Sequence, residues 1–105
     1  MGDLIELGPA DVQARLARGE ITLIDVREPN EIAAERIAGT VAMPLSSFDP
    51  AQLPAGEAAT FVFSCAGGKR SAIAVARTQA AGVPVTAHLR GGLAAWKSAG
   101  LPTER

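Results

Sequence analysis

Two short apolar runs, Ile21-Thr22-Leu23-Ile24 and Thr60-Phe61-Val62-Phe63, do most to narrow the folds open to this chain. Each is continuous, partly β-branched or aromatic, and bounded by turn residues, as expected for a strand covered on both faces. Strands of that kind belong to parallel sheets, whose neighbours are joined by helical crossovers. The segments around them fit. Residues 4–7 read as a short first strand. Gly8-Pro9 opens a helix with Val12 and Leu16 on one face, and Gly19 ends it. Glu28-Pro29-Asn30-Glu31 starts a shorter helix in which Ile32 and Ala33 are the expected buried members. Residues 40–43 make a brief strand stopped by Pro44, and 46–53 a turn of helix. Residues 60–64 are the next strand, followed by a helix over 72–81 with Ile73, Ala76 and Ala80 at helical spacing. A last strand over 85–89, a Gly91-Gly92 turn and a helix over 93–99 close the chain. The pattern predicts an α/β fold of three layers: a central parallel sheet of about five strands with helices on both faces.

A length of 105 residues allows one core, so residues 1–105 are read as a single domain. Ten basic against eleven acidic residues give a net charge of −1, without the basic footprint of a nucleic-acid-binding protein. No stretch has the length and apolarity of a membrane span. The first residues, Met1 to Glu6, carry acids where a secretory signal carries a basic head and a long apolar block. One cysteine forbids an internal disulfide and suits a reducing compartment, so the expected location is cytoplasmic.

That cysteine stands at the most informative place in the chain. Ser64-Cys65-Ala66-Gly67-Gly68-Lys69-Arg70-Ser71 puts a thiol between the end of a strand and the start of a helix. Ligands of parallel α/β sheets bind beyond the carboxyl ends of the strands, where Asp25, Arg27, Cys65 and His88 all fall. Gly67 and Gly68 allow successive N–H groups to converge on the sulfur, and such a cluster favours thiolate over thiol. Lys69 and Arg70 add positive charge, Arg70 with a fork suited to an oxyanion, and Ser71 offers a hydroxyl from the first helical turn. A lone cysteine is often only a small buried hydrophobe; the joint pattern, and no single member of it, marks Cys65 as a nucleophile. Asp25 is read as a structural hydrogen-bond or ion-pair partner, His88, a candidate base, as a polar residue at a strand end, and Trp96 and Met43 as packing residues.

Four segments together resemble the rhodanese-like sulfurtransferase family: Leu23-Ile24-Asp25-Val26-Arg27-Glu28-Pro29-Asn30-Glu31, Ile37-Ala38-Gly39-Thr40, the Cys65–Ser71 loop, and Gly91-Gly92-Leu93-Ala94-Ala95-Trp96. They stand in the family's order and spacing over nearly the whole chain. The resemblance implies a rhodanese-like fold and a sulfane-sulfur carrier with Cys65 as the catalytic residue. In that family the cysteine takes sulfur from a donor such as thiosulfate, releases sulfite and becomes a persulfide. Cyanide, a thiol or a protein then removes the sulfur, with no metal or organic cofactor.

Ala66, Gly67, Gly68, Lys69, Arg70 and Ser71 match the substrate-binding loop, and Arg27 is expected to add positive potential near it. The expected partners are a small sulfur-containing anion and a sulfur acceptor, without nucleic acid or membrane, in a monomer or weak dimer. Four residues separate Cys65 from Arg70, where cysteine phosphatases have five and a wider cradle; the alternatives of phosphate hydrolysis or oxyanion reduction rank below sulfur transfer. A non-catalytic binding or regulatory module is the other alternative, against which the intact cysteine counts. The chain departs from the family pattern in carrying Arg36 where many members have histidine, Ala38 where proline is frequent, and Ala66 where some thiosulfate-using members have a basic residue.

Overall fold

In the computed structural model, which describes residues 2–105, the neighbours Leu23 and Ile24 face opposite sides of one sheet. Met1, assigned by sequence to the same domain, lies outside the described residues. The sheet has five strands, β1 (Ile5–Leu7), β2 (Thr22–Asp25), β3 (Val41–Ala42), β4 (Phe61–Ser64) and β5 (Ala87–Leu89), in the order β1-β5-β4-β2-β3. Every pairing is parallel. Four helices connect or follow them: α1 (Pro9–Ala17), α2 (Pro29–Ala34), α3 (Lys69–Ala80) and α4 (Gly92–Ser98).

Alternation along β2 and β4 divides the core in two, because successive side chains of a strand leave opposite faces. On one side Ile24, Phe61 and Phe63 pack with Val26, Val85, and Ala74 and Val75 of α3. On the other, Leu23, Val62 and Leu89 pack with Val12 of α1, Ile37 and Trp96 of α4. The three-layer α/β reading therefore holds. The middle of each strand, Leu23-Ile24 in β2 and Phe61-Val62-Phe63 in β4, is apolar because neither has a face to give to solvent.

Local differences from the sequence expectations have physical reasons. Segment 46–53 forms two short 3₁₀ turns, Leu45–Ser47 and Pro50–Gln52, with Phe48 between them set edge-on to Phe63 at 5.7 Å. Ala33 is exposed and Ile32 only half-buried, because α2 is held by polar contacts instead of an apolar stripe. In α3 the buried face is Ser71, Ala74, Val75 and Thr78, while Ile73 is 39% exposed and Ala76 and Ala80 are exposed. The phase of that helix is set at its first turn, where Ser71 must face the loop below; positions 74, 75 and 78 then follow inward.

The chain crosses from β2 outward to β3, then returns to place β4 on the other side of β2. The carboxyl ends of β2 and β4 lie side by side, Asp25 opposite Ser64. This is the point of the sheet where strand order reverses, and a crevice opens there in such folds. Cys65 is the next residue. Among the described residues no helix is long and apolar enough to cross a membrane.

Candidate active site

The loop after β4 is shaped by what happens to its backbone groups. The carbonyls of Cys65 and Ala66 turn away from the sulfur and accept hydrogen bonds from Leu93 N–H at 2.8 Å and Ala94 N–H at 3.0 Å, in the first turn of α4. With those carbonyls occupied below, the amides that follow are free to turn upward. Gly68, in the left-handed region at φ 101°, swings the chain into α3, and its N–H meets Cys65 Sγ at 3.0 Å. Ser71 N–H meets the same sulfur at 3.3 Å, and Ser71 Oγ lies 3.5 Å from it. The loop thus cradles one atom, and that atom is Sγ.

Cys65 is 1% exposed, yet its polar surroundings separate it from an inert core thiol. Burial, the largest influence, pushes its pKa up. The Ser71 hydroxyl and the amides of Ser71, Gly68 and Gly67 together outweigh burial and hold the thiol below its ordinary range. Gly67, exposed, forms the lip of the cradle; Ala66 is half-buried beside it.

The loop's two cations have different fates. Arg70 forks onto Glu31 of α2, Nη1 to Oε1 at 2.6 Å and Nη2 to Oε2 at 2.9 Å. Hydrogen bonds from Arg70 and from Glu28 N–H bring the Glu31 pKa down to about 2. Lys69 is exposed and has no ion-pair partner among the described residues.

Arg27 requires a correction. Expected to add positive potential at the substrate, it is 4% exposed, and its Nε and Nη2 clasp the Asp25 carboxylate. Its remaining reach goes to the carbonyls of Glu31 and Glu35 at 3.3 and 2.9 Å, on and just beyond the end of α2. Charge neutralised by a buried partner and donors spent on backbone leave it a scaffold residue, tying α2 to the end of β2. Asp25 has the structural role expected of it.

His88 is more than a polar strand end. It is 2% exposed, with Nδ1 at 2.7 Å from Ser71 Oγ and Nε2 at 3.1 Å from the Glu6 carboxylate on β1. Sequence inspection also missed Glu31 as the partner of Arg70, 39 positions away. It read Gly91-Gly92 as a turn before the last helix, whereas Gly92 begins α4 and a Cβ there would stand 2.3 Å from the Cys65 carbonyl oxygen. No group of three or more His, Cys, Asp or Glu side chains that could hold a metal ion occurs among the described residues.

Comparison with known proteins places this geometry. The model of the rhodanese-like domain family matches residues 8–99. An uncharacterized protein of Synechocystis is 41% identical over 99 residues; the match takes in 94% of this chain and 55% of the relative, so the chain spans about half of that relative's length. Among solved structures, a thiosulfate sulfurtransferase of Pseudomonas aeruginosa superposes with a TM-score of 0.84 at 33% identity, over 97% of this chain and 20% of the larger one. A protein of unknown function from Rhodopseudomonas palustris, described as a possible tyrosine phosphatase, gives a TM-score of 0.79 at 31% identity, over 96% and 85% of the two chains.

Proposed function

Because the chain belongs to the rhodanese-like domain family, we propose that it is a sulfurtransferase that carries sulfane sulfur as a persulfide on Cys65. The observation that carries this reading is the convergence of the Gly68 and Ser71 amides on a single sulfur. Amides already aimed at Sγ favour the thiolate, and a sulfur atom added above it inherits the same concentration of N–H dipoles.

The reaction runs in two displacements. The Cys65 thiolate attacks the outer sulfur of a donor such as thiosulfate, a new S–S bond forms, and the donor's S–S bond breaks with its electron pair leaving on sulfite. The enzyme then holds Cys65–S–S⁻. A thiophilic acceptor, whether cyanide, a thiol or a protein, attacks the terminal sulfur and takes it, returning the Cys65 thiolate. The chain's own contribution is to stabilise negative charge at Sγ and on the transferred sulfur, work that the loop amides do without a metal or organic cofactor.

The recessed position of Cys65 favours a donor that projects one slender atom, and the four-residue interval to Arg70 favours sulfur over a tetrahedral phosphate. Arg70, held by Glu31, supports the loop, while exposed Lys69 is the cation available to draw in an anionic donor. Treatment with thiosulfate should add about 32 Da to the intact protein, a persulfide adduct on its one cysteine, and cyanide should remove it as thiocyanate. The Cys65→Ser variant should fold and do neither. Thiocyanate formation surviving in that variant, or phosphate-ester hydrolysis by the wild type without sulfur loading, would overturn the proposal.

A further inference from the structure

Beneath the cradle, a row of buried polar side chains runs from the sulfur to the far edge of the sheet. Cys65 Sγ lies 3.5 Å from Ser71 Oγ, Ser71 Oγ 2.7 Å from His88 Nδ1, and His88 Nε2 3.1 Å from Glu6 Oε2. Ser71 is fully buried and His88 is 2% exposed, whereas the Glu6 side chain is 52% exposed. The row therefore begins at the nucleophile and ends in water. β-sheet register builds it, since Glu6 and His88 are directly paired across β1 and β5.

The donors and acceptors in this row align in one direction. An ionised Glu6 accepts from His88 Nε2–H, which leaves Nδ1 as an acceptor in the neutral ring. Nδ1 then accepts the Ser71 hydroxyl proton, for which it is a nearer acceptor than the Gly68 carbonyl at 3.2 Å. Ser71 Oγ in turn accepts from the Cys65 thiol. Each group hands its proton toward the surface, the arrangement of nucleophile, base and orienting carboxylate that activates a side chain.

We infer that Ser71, His88 and Glu6 form a proton relay that draws the thiol proton of Cys65 toward the surface before sulfur is accepted, an inference that deepens the sulfur-transfer reading and rests on it. The step balances without an outside reagent. The S–H bond breaks as Ser71 Oγ gains that proton, and the Ser71 O–H proton moves to His88 Nδ1. The products are a thiolate and an imidazolium, the latter facing the Glu6 carboxylate. Ser71 touches the reacting sulfur; His88 and Glu6 act through it and are positioning residues.

Other charges around β5 do not duplicate this role. β1 contributes only Glu6, and β4 contributes no titratable side chain short of Cys65. On α3, Lys69 is exposed, Arg70 is held by Glu31, and Arg77 reaches the Leu45 carbonyl. On α4, Lys97 is held by Glu35; Arg90, exposed, stands beside Gly8 in the turn before it.

One cysteine and one histidine in the chain make both titrations readable without assignment. Cys65 is followed by its rate of alkylation with iodoacetamide against pH, and His88 by imidazole NMR. His88→Gln should raise the Cys65 midpoint by about one pH unit, slowing alkylation at neutral pH about tenfold. Cys65→Ser should lower the His88 midpoint by a similar amount, because coupling between two sites is reciprocal. Glu6→Gln, at an exposed position, should shift Cys65 the same way by about half a unit and carries the test if His88→Gln does not fold. A His88 midpoint unmoved by Cys65→Ser overturns the relay, even if His88→Gln moves Cys65, since a residue that merely props Ser71 has no reason to respond. Sulfur loading by thiosulfate is measured in parallel. Loading with uncoupled titrations refutes the relay alone; coupled titrations without loading refute sulfur transfer and leave only thiol activation.

Discussion

Gly92→Ala tests the view that the first turn of α4 shapes the cradle. Its φ is +58°, in the left-handed region, and a Cβ there would lie 2.3 Å from the Cys65 carbonyl oxygen and 2.8 Å from the Ala66 carbonyl carbon. Both obstacles are backbone, so no rotamer change relieves them. Gly39 is the control: its φ is +81°, but nothing lies within 4 Å of an added Cβ. Gly39→Ala should lose only the left-handed term, about 1–2 kcal/mol. Gly92→Ala should lose that and an overpacking cost of about 1–3 kcal/mol, toward the upper end because backbone must move. The total of roughly 3–5 kcal/mol is a large part of a small domain's usual 5–15 kcal/mol. Urea titrations of the two variants and the wild type measure the difference. Separating the helix from the loop should also release the carbonyls of Cys65 and Ala66 and slow iodoacetamide alkylation of Cys65 at neutral pH. Equal stability losses in Gly92→Ala and Gly39→Ala, with alkylation unchanged, would refute the argument that this contact sets the loop.

Other expectations follow from the charges. Arg27→Met strands the Asp25 carboxylate in the interior and should cost about 3–5 kcal/mol by denaturant titration, far more than loss of an exposed arginine. Lys69→Ala should leave stability unchanged and raise the thiosulfate concentration needed for half-maximal sulfur loading, an effect that should fade as salt is added. Glu31, with its pKa lowered from 4.5 to about 2, stabilises the fold above pH 4.5, and that contribution is lost as pH falls toward 2. After discount for its partial exposure it amounts to about 1 kcal/mol, and Glu31→Gln should remove that portion of the acid sensitivity in urea titrations repeated across the interval. Glu35, also near 2 beside Lys97 and Thr103, and Glu20, held low by Arg18, should keep theirs.

How much of this was legible in sequence depended on the range of the interaction. The layers were legible because burial on two faces leaves a mark inside each strand, as in Leu23-Ile24 and Phe61-Val62-Phe63. The cradle was legible because Cys65, Gly68 and Ser71 lie within seven consecutive positions. The buried face of α3 was misjudged since Ile73, Ala76 and Ala80 form a plausible stripe; the helix is instead phased by Ser71, whose amide is committed to the sulfur. Arg27 was misplaced because an arginine at a strand end looks the same whether it meets a ligand or a buried carboxylate. The pairs Glu31–Arg70 and Glu6–His88 join residues 39 and 82 positions apart, and only strand order and register bring them together.

With Arg27 held by Asp25 and Arg70 by Glu31, the positive potential at Sγ comes mainly from amide dipoles and not from side-chain charge. The distinction bears on selectivity. Dipoles at hydrogen-bond distance act strongly on the atom they touch and weakly beyond it, whereas a free guanidinium would attract any oxyanion nearby. A cradle built this way stabilises what sits on Cys65 more than what approaches it. It should therefore retain a persulfide well and discriminate only modestly among donors by charge. Within the loop, Lys69 supplies longer reach, and its exposure leaves that contribution open to screening by salt. On the proposed sulfur-transfer reading, donors should then be selected mainly by whether they can present a slender sulfur to the recessed Cys65, which is 1% exposed.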